Sequence, residues 1–162
     1  LTLNNQIADF VKRFTYAKNF IYLGRGYNYP TALEGALKLK EISYIHSEAY
    51  AAGELKHGTI SLITNGIPVI ALSTVSKVCE KTVSGIREVK SRGAFVVTIT
   101  TATLSKKYDI PCDELLILPE ANELLMPFLA ATALQLLAYH VSSLKGLDVD
   151  KPRNLAKSVT VE

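Results

Sequence analysis

Apolar positions along this chain repeat at two different periods. Leu3, Ile7, Phe10, Val11 and Phe14 recur at helical spacing, and Phe20 to Leu23 form a short apolar run that stops at Gly24 and Gly26. The pattern predicts a helix, a strand and a tight turn. Pro30 suits the first turn of a second helix, because its fixed φ fits there and its missing N–H would have had no partner; that helix is expected to reach about Ile45. Ile67 to Leu72 and Phe95 to Thr100 are unbroken apolar or β-branched runs, as strands covered on both faces require, and Leu115 to Leu118 is similar. Between the first two, Val78, Val83, Ile86 and Val89 mark a helix ending near Gly93. The most apolar stretch, Leu124 to Tyr139, is interrupted by Pro127 and Gln135 and falls short of the ~20 residues of a membrane span. It predicts a buried helix over roughly Pro127 to Lys145.

Strands alternating with helices through short connections predict an α/β fold, a doubly wound three-layer sandwich with a mainly parallel sheet. Residues 1–145 are expected to form this domain, and the polar, proline-broken stretch 146–162 an irregular tail. With 48% hydrophobic and 20% charged side chains, 162 residues suffice for one soluble domain with a real core. The net charge of +3 is dispersed, so the dense phosphate-neutralising surface of a nucleic-acid binder is not expected. Cys79 and Cys112 lie in no metal-ligand or redox spacing, which predicts reduced thiols and a cytoplasmic protein. Leu1 to Phe14 lacks the basic-then-apolar order of a signal peptide, so no export is expected. A chain that starts at leucine is expected to be a piece of a longer protein.

Four features are candidates for chemistry. Gly24-Arg25-Gly26 follows a strand, but the third glycine of a dinucleotide-binding loop falls on Tyr29, so the glycines are read as a sharp strand-to-helix turn. That turn is expected to border a site, since open α/β sheets bind ligands at the carboxyl ends of their strands. Glu34, Lys38 and Glu41, at i, i+4 and i+7, share one stripe of the second helix. Spacing alone leaves open a pocket lining or an ordinary surface ladder of ion pairs. Ser47 to Thr59 is rich in small residues and carries Glu48, Glu54, Lys56 and His57, which predicts an exposed functional loop. A lone histidine is either a solvated side chain or a group suited to moving protons on a sugar oxygen. Lys157 sits between apolar Leu155-Ala156 and Ser158-Val159, where lost solvation would favour the neutral, nucleophilic amine. A solvated terminal lysine reads the same way.

Two long segments, ALEGALKLKEISYIHSEAYAAGELKHG (residues 32–58) and DVDKPRNLAKSVTVE (residues 148–162), closely resemble the glutamine:fructose-6-phosphate amidotransferases, or glucosamine-6-phosphate synthases. LGRGYNYP (residues 23–30) and LQLLAYH (residues 134–140) extend the resemblance over nearly the whole chain. It implies the second of two sugar isomerase (SIS) modules in an isomerase domain, acting as a homodimer without a nicotinamide, flavin, pyridoxal or metal cofactor. Its substrates would be fructose 6-phosphate and ammonia from a separate glutaminase domain, and its product glucosamine 6-phosphate. Position by position, the resemblance makes Lys157 the amine that forms an imine with the open sugar's C2 carbonyl, and Glu41 the base that moves a proton from C1 to C2. Lys38 would stabilise charge near O1, Glu34 would orient the stripe, and His57, supplied by the neighbouring subunit, would open the sugar ring.

The resemblance also implies an absence. The serine- and threonine-rich loop that holds the sugar phosphate belongs to the first SIS module and has no counterpart here, so the isolated chain is expected to be inactive. Two other readings remain: a non-catalytic SIS module that senses a sugar phosphate, and a simple aldose–ketose phosphate isomerase. The first has no use for a lysine placed as Lys157 is; the second would keep Glu41 without an imine.

Overall fold

The computed structural model describes residues 2–154. Among the described residues five strands form one sheet: β1 (Asn19–Gly24), β2 (His46–Ala51), β3 (Pro68–Ser73), β4 (Phe95–Thr101) and β5 (Glu114–Leu118). Their order is β2-β1-β3-β4-β5 and every pairing is parallel. Five α-helices accompany them: α1 (Thr2–Phe10), α2 (Asn28–Ser43), α3 (Ser76–Ser91), α4 (Ala102–Lys107) and α5 (Met126–Leu144). The predicted α/β class therefore holds.

The side chains of the inner strands divide by parity, because successive residues of a strand point to opposite faces. Phe20, Tyr22, Ile70, Leu72, Val97 and Ile99 join α1, α2 and α5 in the larger core. Ile21, Leu23, Val69, Ala71 and Val96 face the other way, onto Ile86 and Val89 of α3. Both sheet faces are thus covered, which explains the unbroken apolar runs of β1, β3 and β4. Phe14 anchors the larger core through edge-to-face contacts with Phe20 and Phe95, at 5.1 and 5.4 Å between ring centroids.

One expectation needs correction, one helix was not foreseen, and one helix end is placed more closely. Ser47 to Ala51 is not loop but most of β2, an edge strand bonded to β1 along its whole length. Its polar composition reflects a strand with one neighbour and a half-exposed surface; only the stretch after it turns, through the 3₁₀ segments Leu55–His57 and Thr59–Leu62. Helix α4 was unforeseen because its residues follow β4 without a break; Thr101, the last residue of that strand, accepts the Leu104 N–H as its cap (3.4 Å). The second helix stops at Ser43, where Tyr44 turns left-handed, close to the expected end near Ile45. Among the described residues no helix is long and apolar enough to cross a membrane. Cys79 and Cys112 are free, and burial pushes both thiols up.

Candidate active site

A doubly wound sheet has its natural ligand crevice where the strand order reverses, here between the carboxyl ends of β1 and β3. Gly24 ends β1 so close to α2 that a Cβ would lie 2.3 Å from the Asn28 carbonyl oxygen, which is why glycine is needed there. Asn28 is fully buried in the crevice. Its Nδ2 donates to the Leu72 carbonyl (3.2 Å), and its Oδ1 accepts from the Thr74 hydroxyl (2.6 Å). Thr100 in turn donates to the carbonyl of Ser73 (2.7 Å). The crevice's polar groups thus satisfy one another.

The helices beside it are closed to anions in the same internal way. The Ser76 N–H, opening α3, donates to the Glu123 carboxylate (2.7 Å), and the Thr103 N–H of α4 donates to Glu120 (2.8 Å). These bonds hold both carboxyl groups below the usual carboxylate range. Two negative charges therefore occupy positions where a helix start would otherwise attract a phosphate. Sequence alone gives no signal for this, since Glu123 reaches a residue far back in the chain.

The charged stripe lies on α2. Lys38 stands between its neighbours, 2.7 Å from Glu41 Oε2 and 3.7 Å from Glu34 Oε1. The spacing produces this directly, because residues three and four apart on a helix are neighbours. All three side chains are partly exposed, with Glu41 the most sheltered at 27%. The hydrogen bond to Glu41 pushes the Lys38 ammonium up from its ordinary value, reinforced by both carboxylates and opposed by partial burial. Lys38 thus stands between two carboxylates on one helix face.

His57 is not joined to this stripe in the single chain. His57 is exposed at the end of its 3₁₀ segment, held through its backbone N–H on the Glu54 carbonyl (3.1 Å). Lys157 lies outside the described residues. The chain leading to it does reach α2: Lys145 Nζ donates to the Ser43 carbonyl (3.2 Å), and the Arg153 N–H donates to the Tyr44 hydroxyl (2.9 Å). Pro152 beside them is buried, while Lys151 and Arg153 are exposed. Among the described residues no group of His, Cys, Asp and Glu is placed to hold a metal ion.

Known proteins carry the same architecture. The SIS domain family model matches residues 13–145. A glutamine–fructose-6-phosphate aminotransferase (isomerizing) of Bacteroides thetaiotaomicron is 54% identical, over 100% of this chain and 26% of its own length. The enzyme so named in Thermococcus kodakarensis is 54% identical over 90% of this chain and 24% of its own. Among solved structures, the C-terminal domain of glucosamine-fructose-6-phosphate aminotransferase from Francisella tularensis superposes with a TM-score of 0.87 at 38% identity, covering 91% of this chain and 42% of that one. The chain therefore spans about a quarter of the length of the curated relatives it matches.

Proposed function

The chain belongs to the SIS domain family, and from that membership we propose that it is the carboxyl-terminal sugar isomerase module of a glutamine–fructose-6-phosphate aminotransferase. In this reading residues 1–145 form the module and residues 146–162 a tail that completes the active site. The partners are the first SIS module, a glutaminase domain that supplies ammonia, and a second subunit that supplies His57. The substrate is fructose 6-phosphate.

The chemistry divides among few groups. His57 moves the proton that opens the sugar ring. The neutral amine of Lys157 adds to the C2 carbonyl and water leaves, forming an imine; ammonia then displaces the lysine amine at C2. Glu41 takes a proton from C1 and returns one to C2, while O1 loses its proton and the imine nitrogen gains one, which turns the ketose imine into the 2-amino aldose. Lys38 balances the negative charge that develops at O1 during this transfer, and Glu34 orients Lys38. The observation that carries the proposal is the stripe itself: a carboxylate and an ammonium 2.7 Å apart on an accessible helix face.

Borohydride reduction of the longer protein that carries this chain, with fructose 6-phosphate present, tests it. The expected result is a hexitol phosphate adduct on the peptide containing Lys157, absent in Lys157→Arg, because a guanidinium stays protonated and cannot attack. An adduct on Lys38 or Lys56, or full synthase activity in Lys157→Arg, would overturn the role given to the tail.

A further inference from the structure

Helix α5 has no Asp, Glu, Lys or Arg among its 19 residues, yet the described residues do not enclose it. A helix without charge on any side belongs in a core, whereas one on a surface normally turns a charged face to water. Phe128, Thr132, Gln135 and Tyr139 are all exposed, and at about 100° per residue they share one stripe. Phe128 is 72% exposed and Tyr139 47%. Leu124 and Leu125, just before the helix, are exposed as well.

Helix α2, packed beside α5 through Gly35 and Leu134, has the same peculiarity. Leu33 and Leu37, 45% and 42% exposed, stand one turn apart on its outer side. Around the helix, Glu34, Lys38 and Glu41 fall between this pair and Gly35. The charged stripe therefore runs in the valley between the leucines of α2 and the aromatic ridge of α5. Single apolar side chains on a surface need no explanation, but a set spread over two packed helices marks an interface.

We propose that the outer faces of α2 and α5 form one docking surface for a second SIS module carried in the same longer chain. This rests on the reading above that the chain is one of two such modules. The length of its relatives supports that occupant: this chain covers 42% of the Francisella tularensis domain on which it superposes, which leaves room there for a second unit of the same size. Tethering favours it too, since a segment of the same chain docks at an effective concentration of order millimolar and so takes the face ahead of a separate subunit. The surface it accepts is an uncharged one, because a charge brought against Phe128 or Leu37 would lose its water and gain no partner. Docking on both lines also shelters the valley between them, where Lys38 and Glu41 lie.

Photo-cross-linking in the longer protein tests this, with p-benzoylphenylalanine in place of Phe128 or of Leu37. The expected product at both positions is a link within one chain, mapped by mass spectrometry to residues upstream of this module. Phe128→Glu and Leu37→Glu are companion variants: both side chains are exposed within the module, so each variant should keep its fold. The charge they bring to the interface should speed proteolysis between the modules by about 10-fold or more, because cleavage follows the population of the open form. Links between two copies of this module, links confined to residues 155–162, or no link at either position would overturn the inference, as would unchanged proteolysis in both variants. The proposed chemistry fails separately: links within one chain at both positions, with no borohydride adduct on Lys157, refute the role of that lysine and leave the docking surface standing.

Discussion

At the scale of single residues, the central fact is the pairing of Lys38 with Glu41. An exposed helical ion pair is worth only about 0.3–0.5 kcal/mol, so this contact does little for the fold. Its consequence is electrostatic: the hydrogen bond keeps Lys38 charged and leaves Glu41, at 27% exposure, oriented by a cation rather than by bulk water. Glu41→Gln tests the assignment of the base, because the amide keeps the shape and the contact with Lys38 but cannot take up a proton. In the longer protein the variant should bind fructose 6-phosphate with near-normal KM and lose turnover by about 10²- to 10⁴-fold, the usual scale for a general base. Steady-state kinetics decide it. Near-normal turnover would return the stripe to an ordinary surface ladder. The stripe was legible in the sequence because helical spacing dictates who meets whom within one turn. Asn28, Glu123 and Tyr44 were not, since their roles arise from contacts 44 or more residues away along the chain.

Among the elements, α2 carries the stripe and is held by α5, and Gly35 sets how closely the two approach. A Cβ at Gly35 would lie 2.5 Å from Leu134 Cδ1 and 3.1 Å from Leu134 Cβ, and Leu134 is wholly buried. Gly85 in α3 is the control, since its nearest neighbour would be 3.5 Å away, an ordinary contact. Alanine favours a helix interior over glycine by about 0.5–1 kcal/mol, so the sign at each position depends on the space available. Gly85→Ala is expected to be neutral or stabilising by up to that amount. Gly35→Ala is expected to cost about 1–3 kcal/mol from overpacking, read as a lower denaturation midpoint at unchanged slope. Equal behaviour of the two variants would mean that α2 and α5 are not locked together. The same elements show what sequence reveals about a fold. β1, β3 and β4 announced themselves because burial on both faces favours continuous apolar or β-branched runs. β2 hid among small and polar residues because an edge strand is defined by hydrogen bonds to β1, which any sequence can make.

On the scale of the whole molecule, the sheet, both cores and the helix carrying the stripe are complete within this chain, while the groups that would hold a sugar phosphate are not evident among the described residues. The switch-point crevice is satisfied internally by Asn28, Thr74 and Thr100. The starts of α3 and α4 already hold the carboxylates of Glu123 and Glu120, whose negative charge opposes a phosphate there. Folding and catalysis should therefore separate. The 162-residue chain by itself is expected to unfold cooperatively, as a domain with a buried core does. It is also expected to form no measurable glucosamine 6-phosphate from fructose 6-phosphate and ammonia, at least ~10⁴-fold below the longer protein, because effective positioning of a bound substrate supplies that much of such a rate. Fructose 6-phosphate at millimolar concentration should leave its Tm unchanged, since a ligand raises stability only through affinity for the folded state. Product formation by the chain alone, or a rise in Tm on adding the sugar phosphate, would show that the anchor lies within these residues and that the carboxylates at the helix starts do not exclude it.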